Sequence, residues 1–111
     1  MNVRFSEYRV MWILVFFDLP TETKEERHRH SEFRKSLLKD GFNRFQLSIY
    51  TRCCPTVEHA NMHIKRVKNF IPPKGTVSIM CVTDKQFGKI VIFHGPKERP
   101  APKVAPQLEL F

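Results

Sequence analysis

The chain reads as an α+β domain, a βαββαβ plait in which two helices lie on one face of an antiparallel sheet. Three observations predict it. Met11 to Phe17 is an unbroken apolar run rich in β-branched and aromatic residues, which reads as a strand buried on both faces. Two helix-start signals follow, at Thr23 and at Pro55-Thr56, each with strand material after it. The connections between these stretches are short, so sequential elements pack as neighbours.

The elements justify themselves in order. Pro20 cannot continue a ladder, so the first strand stops before it and leaves Asp18 at the strand's tip. Thr23-Lys24-Glu25-Glu26 is a capping box, with Thr23 as N-cap and Glu26 at N3. The helix it opens is expected to run to about Lys39, stopped by Gly41, with a thin buried stripe of His30, Phe33, Leu37 and Leu38. Phe42 to Arg52 is strand material, either one long strand or two short ones with a bend near Gln46. Leu47, Ile49 and Thr51 share one face there, and Ser48, Tyr50 and Arg52 the other.

Val57, Ala60, Ile64, Val67 and Ile71 form the apolar stripe of a second helix, ended by Pro72-Pro73. Thr76 to Thr83 alternates as a strand, Gln86-Phe87-Gly88 reads as a turn, and Lys89 to Phe93 reads as a last strand. The layout therefore predicts a ferredoxin-like plait over residues 1–95, its first strand in the middle of the sheet. Residues 96–111, with Pro96, Pro100, Pro102 and Pro106, form an extended tail. That tail ends in the apolar tip Leu108-Glu109-Leu110-Phe111. Leu108, Leu110 and Phe111 are expected to dock as a strand on a sheet edge of this chain or of a partner.

Composition narrows the function. Its 111 residues and 41% hydrophobic content allow one domain with a small core, and the helix-free sheet face calls for cover by a second copy. A net charge of +8 favours a polyanionic partner, DNA or RNA, over a metabolite. No apolar run reaches bilayer-spanning length, and the Val10 to Phe17 run lacks the pattern of a signal peptide. Cys53, Cys54 and Cys81 are odd in number and wrongly spaced for zinc, so they read as small hydrophobes in a reducing, cytoplasmic setting.

The candidate sites follow. Asp18 is an acid at the end of a buried strand in a basic chain. It is either a magnesium ligand or a hydrogen-bond acceptor for the turn and helix start beyond it. Lys24, Arg27, Arg29, Arg44 and Arg52 suit phosphate contact without base readout, or else are a solvated face. Lys65, Arg66 and Lys68 suit the helix end on which they fall. His59 and His63 stand four apart with no third ligand near in sequence, and read as a solvated flank. Tyr50 and Phe45 read as core rather than as base-stacking platforms.

At the level of motifs the chain resembles a known family. Val15-Phe16-Phe17-Asp18-Leu19-Pro20 resembles the first-strand motif of the Cas-two family, small CRISPR-associated adaptation proteins. Gln46-Leu47-Ser48-Ile49-Tyr50 resembles its third-strand pattern, Gln-x-Ser-Val-aromatic, with Ile49 in place of Val. His63 to Lys68, Pro72-Pro73-Lys74-Gly75 and Thr83 to Gly88 together look like the branch found beside Cas-nine effector nucleases.

The resemblance implies a ferredoxin-like homodimer that sits between two dimers of the Cas-one integrase and helps insert spacer DNA. It also implies a magnesium-dependent (Mg2+) endonuclease activity on RNA or DNA in many members. The metal-binding, catalytic aspartate of that family corresponds to Asp18, and its C-terminal tail often docks on a partner. The leading expectation is thus an adaptor that holds duplex DNA between integrase dimers. The alternative is a free-standing metal-dependent endoribonuclease, toxin-like in character.

Overall fold

The computed structural model describes residues 10–103; the expected docking strand at Leu108, Leu110 and Phe111 lies outside the described residues. The elements run β1 (Met11–Asp18), α1 (Lys24–Lys39), β2 (Asn43–Gln46), β3 (Ile49–Cys54), α2 (Val57–Lys68), β4 (Thr76–Thr83), α3 (Asp84–Gly88), β5 (Ile92–His94) and β6 (Lys97–Arg99). β1 to β4 form one antiparallel sheet in the order β2-β3-β1-β4, so the most apolar strand is internal, as its composition demands. This is the ferredoxin-like α+β arrangement that the order of elements predicts.

Local chemistry sets the boundaries. Thr23 Oγ1 accepts from Glu26 N at 3.0 Å, and Glu26 Oε1 accepts from Thr23 N at 3.0 Å, completing the capping box. Thr56 Oγ1 accepts from His59 N to cap α2. The stretch from Phe42 to Arg52 resolves as two short strands with a bend at Leu47 and Ser48, which leaves Leu47 71% exposed at the tip rather than on the face of Ile49.

Alternation along β1 divides the core. Ile13, Val15 and Phe17 face the helices and pack with Phe33 and Leu37 of α1, Ala60 and Val67 of α2, and Tyr50. Phe33 and Leu37 are the buried part of α1, while Leu38 is exposed because it falls off the narrow inward stripe. Ile71 likewise lies beyond the end of α2 and is exposed.

The opposite face departs from expectation. Residues 84–88 form the short helix α3 instead of a turn, started by a second capping box in which Thr83 Oγ1 accepts from Gln86 N and Gln86 Oε1 from Thr83 N. α3 places Phe87 flat on Trp12, ring centroids 4.0 Å apart, and Asp84 Oδ1 accepts from Trp12 Nε1 at 2.6 Å. The Trp12 half of the helix-free face is therefore covered by the chain itself, and needs no second copy. After it, only Ile92–His94 of the expected last strand is extended, and it pairs with Lys97–Arg99 as a separate hairpin.

Candidate functional site

Asp18 closes β1 and is exposed. Its register partner on β4 is Thr76, and the same pairing sets Phe16 opposite Ser78 and Leu14 opposite Met80. Directly paired residues share a face, so Asp18, Phe16, Ser78 and Met80 all lie on the helix-free side. Met80 is 48% exposed there. α3 covers the Trp12 end of this face and leaves the Asp18 end open.

The loop beyond Asp18 is built without help from its carboxylate. Glu26 Oε1 accepts from both Glu22 N and Thr23 N, and Arg27 Nη1 donates to Thr21 O at 3.2 Å and Glu22 O at 2.9 Å. The Thr23 backbone amide is the first cause holding the Glu26 carboxyl below its ordinary range. The helix start is thus satisfied by Thr23 and Glu26, which removes the reading of Asp18 as its cap. Among the described residues no hydrogen bond or ion pair engages the Asp18 carboxylate.

That donor set suits one kind of metal. Magnesium keeps several waters and takes one or two carboxylates together with substrate phosphates, so a lone exposed carboxylate fits it. Among the described residues no group of three or more His, Cys, Asp or Glu side chains could hold a metal by itself. The Cys54 thiol, buried in the helix-side core, is pushed up to about 11 by that burial, which suits a hydrophobe rather than a thiolate ligand.

The basic residues fall into two places. Lys24, Arg27 and Arg29 stand on the first turns of α1, where Arg29 Nη2 meets Glu25 Oε1 at 2.6 Å. Arg29 also lines a crevice with Leu19, His30 and Lys74, beside the exit from β1. Arg44 and Arg52 line a groove of about 290 Å³ with Trp12, Phe45 and Lys103, and Arg52 Nη1 donates to Gly41 O. Lys74 and Lys103 are the cations that sequence reasoning missed. Antiparallel pairing of β1 with β4 carries the signal for Lys74, since the residues entering β4 must then lie beside Asp18.

Two sequence readings change at α2. His63 is buried, not solvated, with Nδ1 2.7 Å from Asp40 Oδ2, while Arg66 Nη1 donates to Asp40 Oδ1 at 3.0 Å. Burial alone would raise the Asp40 pKa, but the His63 and Arg66 bonds outweigh it and hold the carboxyl low. His59 is half-buried against His63, ring centroids 4.8 Å apart. Tyr50 is core, as expected, with its hydroxyl accepting from Arg34 Nε.

Fold and site together define a ferredoxin-like domain with an acid, unengaged among the described residues, at the end of an internal strand. The family model of CRISPR associated protein Cas2 matches residues 11–90, and the chain belongs to that family. It is 54% identical over 108 residues to the CRISPR-associated endoribonuclease Cas2 of Flavobacterium psychrophilum, covering 97% of this chain and 94% of that protein. It is 43% identical over 101 residues to the protein of the same description from Parvibaculum lavamentivorans, covering 91% of this chain and all (100%) of that one. A crystal structure of Cas2 superposes with a TM-score of 0.53 at 19% identity over 86% of this chain and 99% of that one, a likeness in fold.

Proposed function

We propose that the protein is a CRISPR adaptation protein: a homodimer that holds duplex DNA between dimers of the Cas-one integrase, with Asp18 as a magnesium ligand. The observation that carries this reading is the open end of the helix-free face, where exposed Asp18, Ser78 and Met80 lie on one side of the sheet, while α3 closes the other end over the Trp12 cluster on which Phe16 packs. Two copies meeting there about a two-fold axis bury that patch and bring two carboxylates to one groove. Each protomer brings a net charge of +8, so the dimer attracts a duplex through its phosphates whatever its sequence.

Lys24, Arg27 and Arg29 flank the exit from β1 and favour phosphates near Asp18. Arg44 and Arg52, with Lys103, extend the cationic surface along the β2 edge. Magnesium, when bound, supplies charge neutralisation at a phosphate and a more acidic water. The chain's own contribution is one carboxylate held by a rigid strand end and a cationic surround that keeps the phosphodiester in reach.

A second reading, a free-standing metal-dependent endoribonuclease of toxin-like character, is favoured by the description of the relatives as endoribonucleases. The tail separates the two. Removing Gln107 to Phe111 is expected to abolish co-purification with the integrase and leave the dimer intact. A truncated protein that still binds the integrase contradicts the docking role, and Asp18→Asn protein that cleaves RNA at the wild-type rate in magnesium contradicts the catalytic one.

A further inference from the structure

The chain enters β4 through Pro72, Pro73, Lys74 and Gly75, and Thr76 then pairs with Asp18. Gly75 thus lies one step before the end of the ladder, against the peptide that leaves β1. Its φ is +95°, a conformation that L side chains rarely adopt. A Cβ added there would stand 2.7 Å from Asp18 O, 2.7 Å from Leu19 Cδ2 and 3.0 Å from Leu19 Cα. Two of these three neighbours are backbone atoms and cannot swing aside.

The other glycines differ. A Cβ at Gly41 would meet the far end of the Arg52 side chain, which can move, and a Cβ at Gly88 or Gly95 would meet nothing within 4 Å among the described residues. Among the chain's glycines, backbone approaches backbone this closely at Gly75 alone, and it does so at Asp18. Moving the Asp18–Leu19 peptide turns the Asp18 Cα–Cβ bond, and a small backbone shift grows along the side chain to the carboxylate.

We propose that Gly75 is a positioning residue for Asp18: its missing side chain lets β4 close on the end of β1 and so fixes where the carboxylate stands. This rests on the reading of Asp18 as a magnesium ligand for its functional consequence, but the positioning is measurable without metal. Leu19 and Lys74, neighbours of these residues in sequence, line one crevice, so a shift at Gly75 also moves a cation beside the site.

The test compares full-length Gly75→Ala with a ligated chain carrying D-alanine at residue 75. The D-residue accepts positive φ and carries its methyl at the other substituent position of Cα, not the one that meets Asp18 O. Two readouts are taken: the 13C resonance of the Asp18 carboxyl in metal-free protein, and broadening of the Leu19 amide in a manganese titration. Gly75→Ala is expected to shift the carboxyl resonance and to weaken manganese binding at least about tenfold, the scale of losing a residue that orients a metal ligand. The D-alanine chain is expected to restore both.

An unchanged carboxyl resonance and manganese response in Gly75→Ala overturns the inference. If Gly75→Ala fails to fold, the pair Leu19→Ala and Gly75→Ala removes the side-chain clash and retains the clash with Asp18 O; a wild-type resonance there overturns it equally. Asp18→Asn serves as the control. If Asp18→Asn keeps the wild-type manganese response, the metal reading fails, while the carboxyl resonance of the Gly75 variants still decides the positioning.

Discussion

Two acids with opposite surroundings show how residue environment sorts roles. Asp18 is exposed and unengaged among the described residues, whereas Asp40 is drawn in between His63 and Arg66 and ties the end of α1 to α2. His63 was legible in principle. It falls three residues after Ala60 and four before Val67, on the buried stripe of α2, but its polar identity argued for solvent and its partner lies 23 residues away in sequence. The clasp sets a pH dependence. His59 is held below its ordinary value of 6.5, first by burial and then by the charges of His63, Arg52 and Arg66, with Asp40 acting in the opposite sense. The unfolded chain therefore takes up this proton first, and the contribution of His59, whole above 6.5, is lost as pH falls through that value toward the folded one. Asp40 acts lower: its contribution stands above 3.8 and goes as pH falls from there toward its depressed folded value. Urea midpoints should decline on acidification, and His59→Gln should flatten the upper part of that decline; an equal slope in the variant would count against it.

At the scale of elements, the strands and long helices were readable because period and punctuation agree. The run ending at Asp18-Leu19-Pro20, the box at Thr23 and Glu26, and the cap at Thr56 all stand where local chemistry places them. α3 was not read, although Thr83 and Gln86 carry the same box spacing as Thr23 and Glu26. Its single turn is too short for an apolar period, so only packing reveals it. Phe87→Ala tests its importance. Phe87 is 1% exposed and stacks on Trp12, so its loss should cost about 3–5 kcal/mol in chemical denaturation, the range for emptying an aromatic core site. Trp12 fluorescence should report the opening. A cost below about 1 kcal/mol would mean that α3 is not a structural cover.

At the scale of the molecule, α3 changes what a second copy has to do. It leaves uncovered the end of the sheet that bears Asp18, Ser78 and Met80, so the proposed association and the candidate site fall on one patch. The wild-type protein should sediment at twice its 13.2 kDa, and Met80→Asp, with the helix-side core untouched, should shift it toward the monomer. A Met80→Asp protein that pairs like the wild type would place the interface elsewhere. The charge and the order of elements were visible in the sequence; the location of the open patch was not, because it depends on what α3 hides. The most direct measurement of the adaptor account is spacer acquisition in cells by Asp18→Ala. The account predicts new spacers at a rate close to wild type, since holding DNA between integrase dimers does not require cleavage at Asp18. Loss of acquisition by a variant that still forms the integrase complex would contradict it and put catalysis at the centre instead.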